Sequence, residues 1–265
     1  MTVLKRYALL FFGLVLLSPL AFAEQTLFDG YYRLTLSGKP IGYMISVVKY
    51  DDKKKTFETL SFLKTNKLGG DVQESTHGFS NNKFEPIKYS YTSKSGDKIS
   101  TIDGSFKGEI MKLIKTDGKI KKTETYKNPK GTFLSSFLAY LMLQQGISVG
   151  KKFTYQAVAE EDGNNYNGEA WVKEKADFLG QECFRILNKF KGSEFISFMN
   201  QKGEVLGTTS PQNNIMAQLM KTPAEATKDF LVPNSTLKLL FGKVPTGQIN
   251  ALYGNENKEK KESSH

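Results

Sequence analysis

The sequence predicts a mainly β protein: a large antiparallel meander that forms a curved sheet or half-barrel around one apolar helix, followed by short C-terminal helices. From Leu27 to Tyr126, short β-type runs alternate with turn-forming clusters at the spacing typical of a meander. An apolar helical pattern then covers Thr132 to Gln145, and strand patterns resume beyond Gly146. These three observations define the predicted fold class.

The first 23 residues have the three parts of an export signal. A basic segment is followed by an apolar run from Tyr7 to Leu17 and by Ala21-Phe22-Ala23 before Glu24. The apolar run is shorter than the roughly 20 residues that a membrane-spanning helix needs. We therefore expect a signal peptide at residues 1–23, a periplasmic or secreted product, and no transmembrane segment in the mature protein. Because the residue directly after the cleavage site is Glu24 and not a cysteine, a lipoprotein is excluded.

Composition narrows the class of protein further. The chain carries a formal net charge of +10, almost all of it from lysine, and Arg33 and Arg185 are the only arginines after the signal. Arginine is the residue best suited to bidentate phosphate recognition, so nucleic acid is not an expected partner. Cys183 is the only cysteine, which excludes a fold held by internal disulfides.

The first strand block shows clear alternation of apolar and polar residues. Ile41, Tyr43, Ile45 and Val47 alternate with smaller or more polar residues, and the segment from Ile87 to Thr92 does the same. Turn chemistry recurs at sites such as Ser37-Gly38-Lys39-Pro40, where glycine and proline supply the required dihedral angles. About eight strands are expected before residue 127.

The segment from Thr132 to Gln145 is predicted as one helix, with Thr132 as its cap and Gly146 just past its end. Its residues are apolar on most sides, so we expect it to be buried against the sheet. The structural interpretation is a core helix. The functional alternative is a plug at the mouth of the curved sheet, as in proteins that bind acyl chains.

Beyond Gly146 we expect five strands, the last ending near Thr208, and then helices. Ile215, Met216, Leu219 and Met220 fall at helical spacing, and Thr222-Pro223-Ala224-Glu225 has the order of a helix start. The segment from Asn234 to Leu252 is expected to form a last strand or a packed arm. Residues 254–265 are charged and predicted to be a disordered tail, which leaves residues 24–253 as a single β-rich domain.

Few residues are suited to catalysis. His77 and His265 are the only histidines, and no spacing typical of a zinc site is present, so no metal or other cofactor is expected. Cys183 and His77 are the one nucleophile and base that could form a pair, but a buried core cysteine is the preferred interpretation. The acidic run Glu160-Glu161-Asp162 is interpreted as a charged hairpin turn, and no catalytic residue is predicted.

Aromatic and aliphatic side chains on the strands and the helix suggest a pocket for an apolar ligand between sheet and helix. The candidate pocket residues are Phe137, Leu138, Leu141, Tyr89, Tyr91 and Trp171.

Three segments together resemble a known family. These are Gly30-Tyr31-Tyr32 through Gly38-Lys39-Pro40-Ile41-Gly42-Tyr43, the helical segment from Thr132 to Met142, and Val149 to Phe153. They resemble exported bacterial β-domains of unknown function, similar in outline to periplasmic lipoprotein carriers, across roughly residues 26 to 210. The resemblance implies an unclosed β-barrel around helices, of the kind that holds acyl chains. It assigns no role to any residue.

The leading functional hypothesis is a non-catalytic envelope domain that binds a lipid or another apolar or amphiphilic ligand. The first alternative is a structural or scaffolding module that contacts cell-wall glycan or another envelope protein through a sheet edge or its lysine-rich surface. The second alternative is an enzyme built on Cys183 and His77.

Overall fold

The computed structural model describes residues 24–253. The predicted signal peptide and charged tail lie outside the described residues. The first half of the chain forms eight consecutive strands: β1 (Gln25–Leu36), β2 (Lys39–Asp51), β3 (Thr56–Thr65), β4 (Val72–Asn81), β5 (Pro86–Ser95), β6 (Lys98–Lys107), β7 (Ile110–Asp117) and β8 (Ile120–Lys127). The number of strands expected before residue 127 is therefore confirmed.

The second half begins with a short connecting segment. It contains β9 (Phe133–Leu134), a 3₁₀ turn at Ser135–Phe137 and helix α1 (Leu138–Gln144). The remaining elements are β10 (Lys152–Ala159), β11 (Asn164–Phe178), β12 (Gln181–Phe190), β13 (Ser193–Met199), β14 (Val205–Ser210), β15 (Ile215–Met220), α2 (Pro223–Thr227) and α3 (Asn234–Phe241).

All fifteen strands belong to one sheet, made of two meanders joined at their ends. The strand order runs from β8 down to β1, continues with β15, and then runs down to β9. The junction is an antiparallel pairing in which Tyr32 lies opposite Leu219. Every neighbouring pair is antiparallel except β9 and β10, which are parallel. The predicted mainly β class and large antiparallel meander are confirmed.

The sheet curls until its two ends share one core. Side chains from β5, β6 and β7 and side chains from β9 and β10 form a single buried cluster, with Tyr89, Leu113 and Leu134 among its members. An amide hydrogen bond of 3.3 Å from Asn165 to the Lys127 carbonyl also brings the start of β11 to the end of β8. The edge strands β8 and β9 do not pair, so the barrel stays open. We call the side of the sheet that faces this shared core the inner face.

The outer face of β1, β2 and β3 is covered by the C-terminal helices. Tyr43, Ile45 and Phe62 are fully buried there in one cluster with Leu237 of α3 and Ala226 of α2. This second layer explains why β1 and β2 carry apolar residues on both faces. The predicted cap at Thr222 is confirmed, since its side chain accepts a hydrogen bond from the Glu225 amide.

The predicted helix from Thr132 to Gln145 is wrong in its first half. Phe133 and Leu134 are extended and pair with Ala157 and Val158 of β10, and the α-helix begins only at Leu138. A short, continuous apolar run suits a buried strand as well as a helix. Pairing with β10 gives the buried backbone groups of this run their hydrogen-bond partners, which decides in favour of the strand.

The predicted helix at Ile215–Met220 is also wrong, because this segment is strand β15. Its backbone pairs with β1 on one side and with β14 on the other, and Leu219 is buried. A helix there would leave the two meanders unjoined and two strand edges without partners. The segment after Asn234 contains α3 and a packed arm, in which Ile249 bridges to Asp29 of β1.

Candidate functional site

A cavity of about 490 Å³ opens on the inner face of β5 to β8. We call it the inner groove. It is lined by Tyr91, Ser93, Ser95, Lys98, Ser100, Thr101, Ile102, Lys115, Thr116, Asp117, Ile120, Lys122 and Glu161. Its volume falls in the range of roughly 300–1,000 Å³ that is typical of small-molecule sites.

Strand register explains which side chains point into the groove. Tyr89 lies opposite Gly104, and Gly104 lies opposite Leu113, so these positions face the shared core. Steps of two residues from Tyr89 reach Tyr91 and then Ser93, which therefore face the same side. Along β5 the inner side chains thus change from large aromatic rings to small hydroxyl groups, and the smaller volume leaves the space open.

The rest of the inner face is filled by the connecting segment. Phe137 is fully buried, and its ring centroid lies 5.8 Å from that of Phe84 and 6.4 Å from that of Phe57. The turn between β10 and β11 covers the next part of the sheet. A Cβ on Gly163 in this turn would lie 2.6 Å from Leu113, so the backbone packs directly on the core. The inner groove is the part that neither segment covers.

Positive charge in the groove is only partly neutralised. Lys115 forms an ion pair with Glu124 at 3.0 Å, and Glu161 forms one with Lys191 at 2.5 Å. Lys98 and Lys122 make no ion pair with any residue in the described range 24–253. These two ammonium groups outnumber the one lining carboxylate without an ion pair in the described range, that of Asp117, and beside several hydroxyl groups they suit an anionic head group such as a phosphate, a sulfate or a carboxylate.

Tyr91 forms the boundary between the groove and the core. Its hydroxyl donates a hydrogen bond of 2.8 Å to Glu74. Burial raises the pKa of Tyr91 well above its usual value, and the hydrogen bond to Glu74 and the charge of that carboxylate raise it further. The phenol is therefore neutral at physiological pH. Its ring supplies an apolar wall beside Ile102.

The structure separates the six predicted pocket residues. Tyr91 lines the inner groove, while Tyr89 is buried behind it. Phe137 lies in the filled core, and Leu138 and Leu141 pack against that core. None of the three lines the inner groove. The serines and lysines of the groove were missed, although their alternation with outer residues is visible in the sequence.

Trp171 lies on the opposite side of the sheet from the shared core. It faces Lys152 and Leu187 across neighbouring strands, and the Lys152 ammonium lies 4.5 Å from the centre of its ring. More than a third of its surface is exposed. Trp171 therefore does not join the inner aromatic residues.

Cys183 and His77 are each bound to other groups. The Cys183 thiol donates to the Ala176 carbonyl at 3.4 Å, and burial raises its pKa. His77 Nε2 lies 2.6 Å from Glu58 Oε1. No hydrogen bond joins Cys183 to His77.

The acidic turn differs from the prediction at one residue. Glu161 and Asp162 are on the surface and pair with Lys191, but Glu160 is only 3% exposed. Its carboxylate accepts hydrogen bonds from the Ser135 hydroxyl at 2.6 Å and the Ser136 amide at 3.2 Å. Burial raises the pKa of Glu160. This residue anchors the connecting segment to the sheet.

Residues 24–253 contain neither a metal-binding cluster nor a membrane-spanning helix. No group of three or more His, Cys, Asp or Glu side chains in this range is arranged to hold a metal ion. Among the helices of the same range, none combines the length and the apolar character needed to cross a membrane.

One of two similar solved structures, the first described below, supports the barrel-like architecture. A β-barrel-like protein of the domain of unknown function DUF1849 from Brucella abortus matches with a TM-score of 0.50 and 11% identity, over 74% of this chain and 97% of that one. A DUF1089 family protein from Pseudomonas aeruginosa matches with a TM-score of 0.39 and 9% identity, over 62% and 87% of the two chains.

Comparison with sequence families shows which family the chain belongs to. No curated protein matches it. The model of the family described as "Protein of unknown function (DUF3108)" matches residues 31–186, which run from β1 into β12. This match covers more than half of the 265 residues, and the chain therefore belongs to the DUF3108 family.

Proposed function

We propose that this protein is an exported, non-catalytic binding domain that holds an amphiphilic ligand with an anionic head group in the inner groove. The observation that supports this most strongly is the groove itself: about 490 Å³, with two ammonium groups that form no ion pair within residues 24–253 and a set of hydroxyl groups beside an aromatic core. Lys98 and Lys122 would bind the head group. Tyr91 and Ile102 would contact the apolar part.

The position of the ligand differs from the expectation based on sequence. That expectation placed an apolar ligand between the sheet and the helix, beside Phe137 and Leu141. Phe137 packs against two aromatic rings there and has no exposed surface. The inner groove, one step further along β5, offers space together with polar groups that can orient a ligand.

A binding role without catalysis is supported by the environment of the two residues that could form a nucleophile and base. The raised pKa of Cys183 disfavours the reactive thiolate, and the thiol is buried. His77 lies on β4 and contacts Glu58 of the neighbouring strand β3, so neither residue is on the strand that carries Cys183.

Export is supported by the signal pattern at residues 1–23. Expression of the whole precursor in a bacterial host, followed by cell fractionation and mass spectrometry of the N-terminus, tests it. We expect the protein in the periplasmic fraction with Glu24 as its first residue. An uncut chain in the cytoplasm would contradict the export part of the proposal.

Native mass spectrometry of the purified protein, followed by titration with a fluorescent lysophospholipid, tests the binding part. Ser93→Trp places a large side chain in the groove, whereas Thr92→Trp places the same side chain on the outer face of the same strand. We expect Ser93→Trp to abolish binding and Thr92→Trp to leave it unchanged. Equal loss in both variants, or no binding by the unmodified protein, would contradict the proposal.

Charge reversal gives a second test of the same site. The head-group contacts predict that Lys98→Glu combined with Lys122→Glu weakens binding by at least about tenfold, since hydrogen bonds to charged groups contribute roughly 1.5–3 kcal/mol each. The matched control is Lys53→Glu combined with Lys202→Glu, which makes the same change in charge in exposed turns away from the groove. Equal effects of the two double variants would show that only the net charge matters.

A further inference from the structure

The outer face of β4 to β8 carries a second feature, separate from the inner groove. Apart from Lys127, which forms an ion pair with Glu109 at 3.9 Å, five exposed lysines project from it: Lys88, Lys94, Lys107, Lys112 and Lys121. Asp103 is the acidic residue among them. We call this surface the lysine face.

Strand register brings these lysines together. Lys88 lies opposite Ser105, Ser105 lies opposite Lys112, and Lys112 lies opposite Thr125 of the edge strand. The two lysines of this row are two strands apart, which corresponds to about 10 Å between their Cα atoms. A second row runs from Thr92 to Lys121 through two threonines. The result is a broad array of ammonium and hydroxyl groups.

Apart from Asp103, these lysines lack the acidic neighbours found elsewhere on the sheet. On β11 and β12, Lys175 and Lys189 form ion pairs with Glu182 and Glu194 at 3.1 and 2.7 Å. Within the described residues, no ion pair involves any of the five lysines of the lysine face. Their charge is therefore available to a partner.

Protection of a sheet edge does not account for the lysine face. Lysines on an edge strand prevent pairing with other chains. Only Lys121 lies on the edge strand β8, whereas Lys88 and Lys112 lie on strands that are paired on both sides. These lysines project from the face of the sheet and not from its edge, a position that suits contact with an extended surface.

Exposed isoleucines lie among the lysines. Ile99 and Ile110 belong to the same outer face and are 49% and 54% exposed. A polyanionic polymer in water offers nothing to apolar side chains, but a lipid bilayer offers an apolar layer just below its charged head groups. Lysine without arginine also suits phosphate groups bound by charge alone rather than by bidentate hydrogen bonds.

We propose that the lysine face docks the protein on a membrane surface rich in anionic phospholipid. The phosphate groups neutralise the lysines, and Ile99 and Ile110 enter the boundary between head groups and acyl chains. This contact does not require a ligand in the inner groove, because the two surfaces lie on opposite faces of the same strands.

Vesicle co-sedimentation of the purified protein tests this proposal. We expect binding to phosphatidylcholine vesicles that contain about 30% phosphatidylglycerol, no binding to phosphatidylcholine alone, and loss of binding at high salt. Lys88→Gln, Lys112→Gln and Lys121→Gln together should weaken binding on the order of 100-fold, since each lysine near such a surface contributes roughly a fivefold gain.

The matched control removes three exposed lysines from turns on other surfaces: Lys53→Gln, Lys202→Gln and Lys228→Gln. It should retain most of the binding. Circular dichroism of both triple variants checks that they are folded. Equal weakening by the two triple variants would overturn the proposal, as would the absence of binding by the unmodified protein.

A double variant, Ile99→Ser with Ile110→Ser, separates a membrane from an anionic polymer. We expect it to weaken vesicle binding several-fold and to leave any binding of dextran sulfate unchanged. If the variant binds vesicles as well as the unmodified protein does, the surface recognises charge alone, and membrane docking by this face is contradicted.

Discussion

Truncation of Phe137 to alanine tests whether the space between sheet and connecting segment is packed core. Phe137 has no exposed surface and contacts the rings of Phe57 and Phe84. Phenylalanine-to-alanine changes in protein cores typically cost about 3–5 kcal/mol. The segment cannot easily collapse into the cavity, because β9 pairs with β10 just before it and α1 begins just after it.

We therefore expect Phe137→Ala to lower the free energy of unfolding by about 4 kcal/mol. For a domain of this size the loss corresponds to a decrease in Tm of roughly 10 °C. Urea unfolding, followed by both far-ultraviolet circular dichroism and Trp171 fluorescence, provides the measurement. Coincident transitions from the two signals would justify a two-state treatment.

The control is Leu239→Ala, which shortens a side chain that is 84% exposed. It should change the free energy of unfolding by less than about 0.5 kcal/mol. A loss below about 1 kcal/mol for Phe137→Ala would refute the reasoning. Such a result would mean that the space beside Phe137 is loosely filled, and it would return the ligand site to the position expected from sequence alone.

Three further predictions concern pH dependence, packing and reactivity. Burial opposes ionisation of Glu58, but its contacts with His77, Glu24 and Lys49 outweigh burial and lower its pKa to about 2. The ionised carboxylate therefore stabilises the fold above pH 4.5, and this contribution is lost between about pH 4.5 and 2. Glu58→Gln should flatten the dependence of stability on pH over this range in acid unfolding experiments, and an unchanged dependence would contradict the prediction. Gly104→Ala should lower the free energy of unfolding in urea by at least about 2 kcal/mol, because its Cβ would lie 2.1 Å from the Tyr89 ring. Gly108→Ala is the comparison: it strains a backbone with positive φ, but its Cβ would touch no neighbouring atom. Cys183 should react with a thiol reagent only when the protein unfolds, since the thiol is buried; rapid reaction of the native protein would disagree with this burial.

The strand pattern of the first block could be predicted from sequence because large apolar residues alternate with small or more polar ones along its strands. Ile41, Tyr43, Ile45 and Val47 occupy alternate positions, and all four are buried. Such alternation directly reports the pleat of a strand. The turns are encoded locally by residues such as Gly38, which has a φ of +79° in the β1–β2 turn.

Ile215–Met220 and Phe133–Leu134 could not be predicted because distant strands decide their structure. Each is a short apolar run that suits either a helix or a buried strand. β15 becomes a strand because β1 and β14 offer it two edges, and β9 does so because of β10. Local propensity contains no information about these long-range pairings.

The inner groove could not be predicted from the sequence for a related reason. Ser93 and Ser100 look like ordinary polar strand residues, and Glu160 looks like part of a surface turn. Their roles depend on how the two ends of the sheet meet, since the connecting segment and the β10–β11 turn cover part of the inner face. Alternation identifies the inner positions, but it does not show which of them remain uncovered.

A crystal structure of the protein loaded with a lysophospholipid is the most direct test of the central claim that the inner groove is the ligand site. We expect density for the head group within hydrogen-bond distance of Lys98 and Lys122, and the apolar chain against Tyr91 and Ile102. Ligand density beside Phe137, between the sheet and α1, would contradict the claim, as would an empty groove in a protein that binds the ligand in solution.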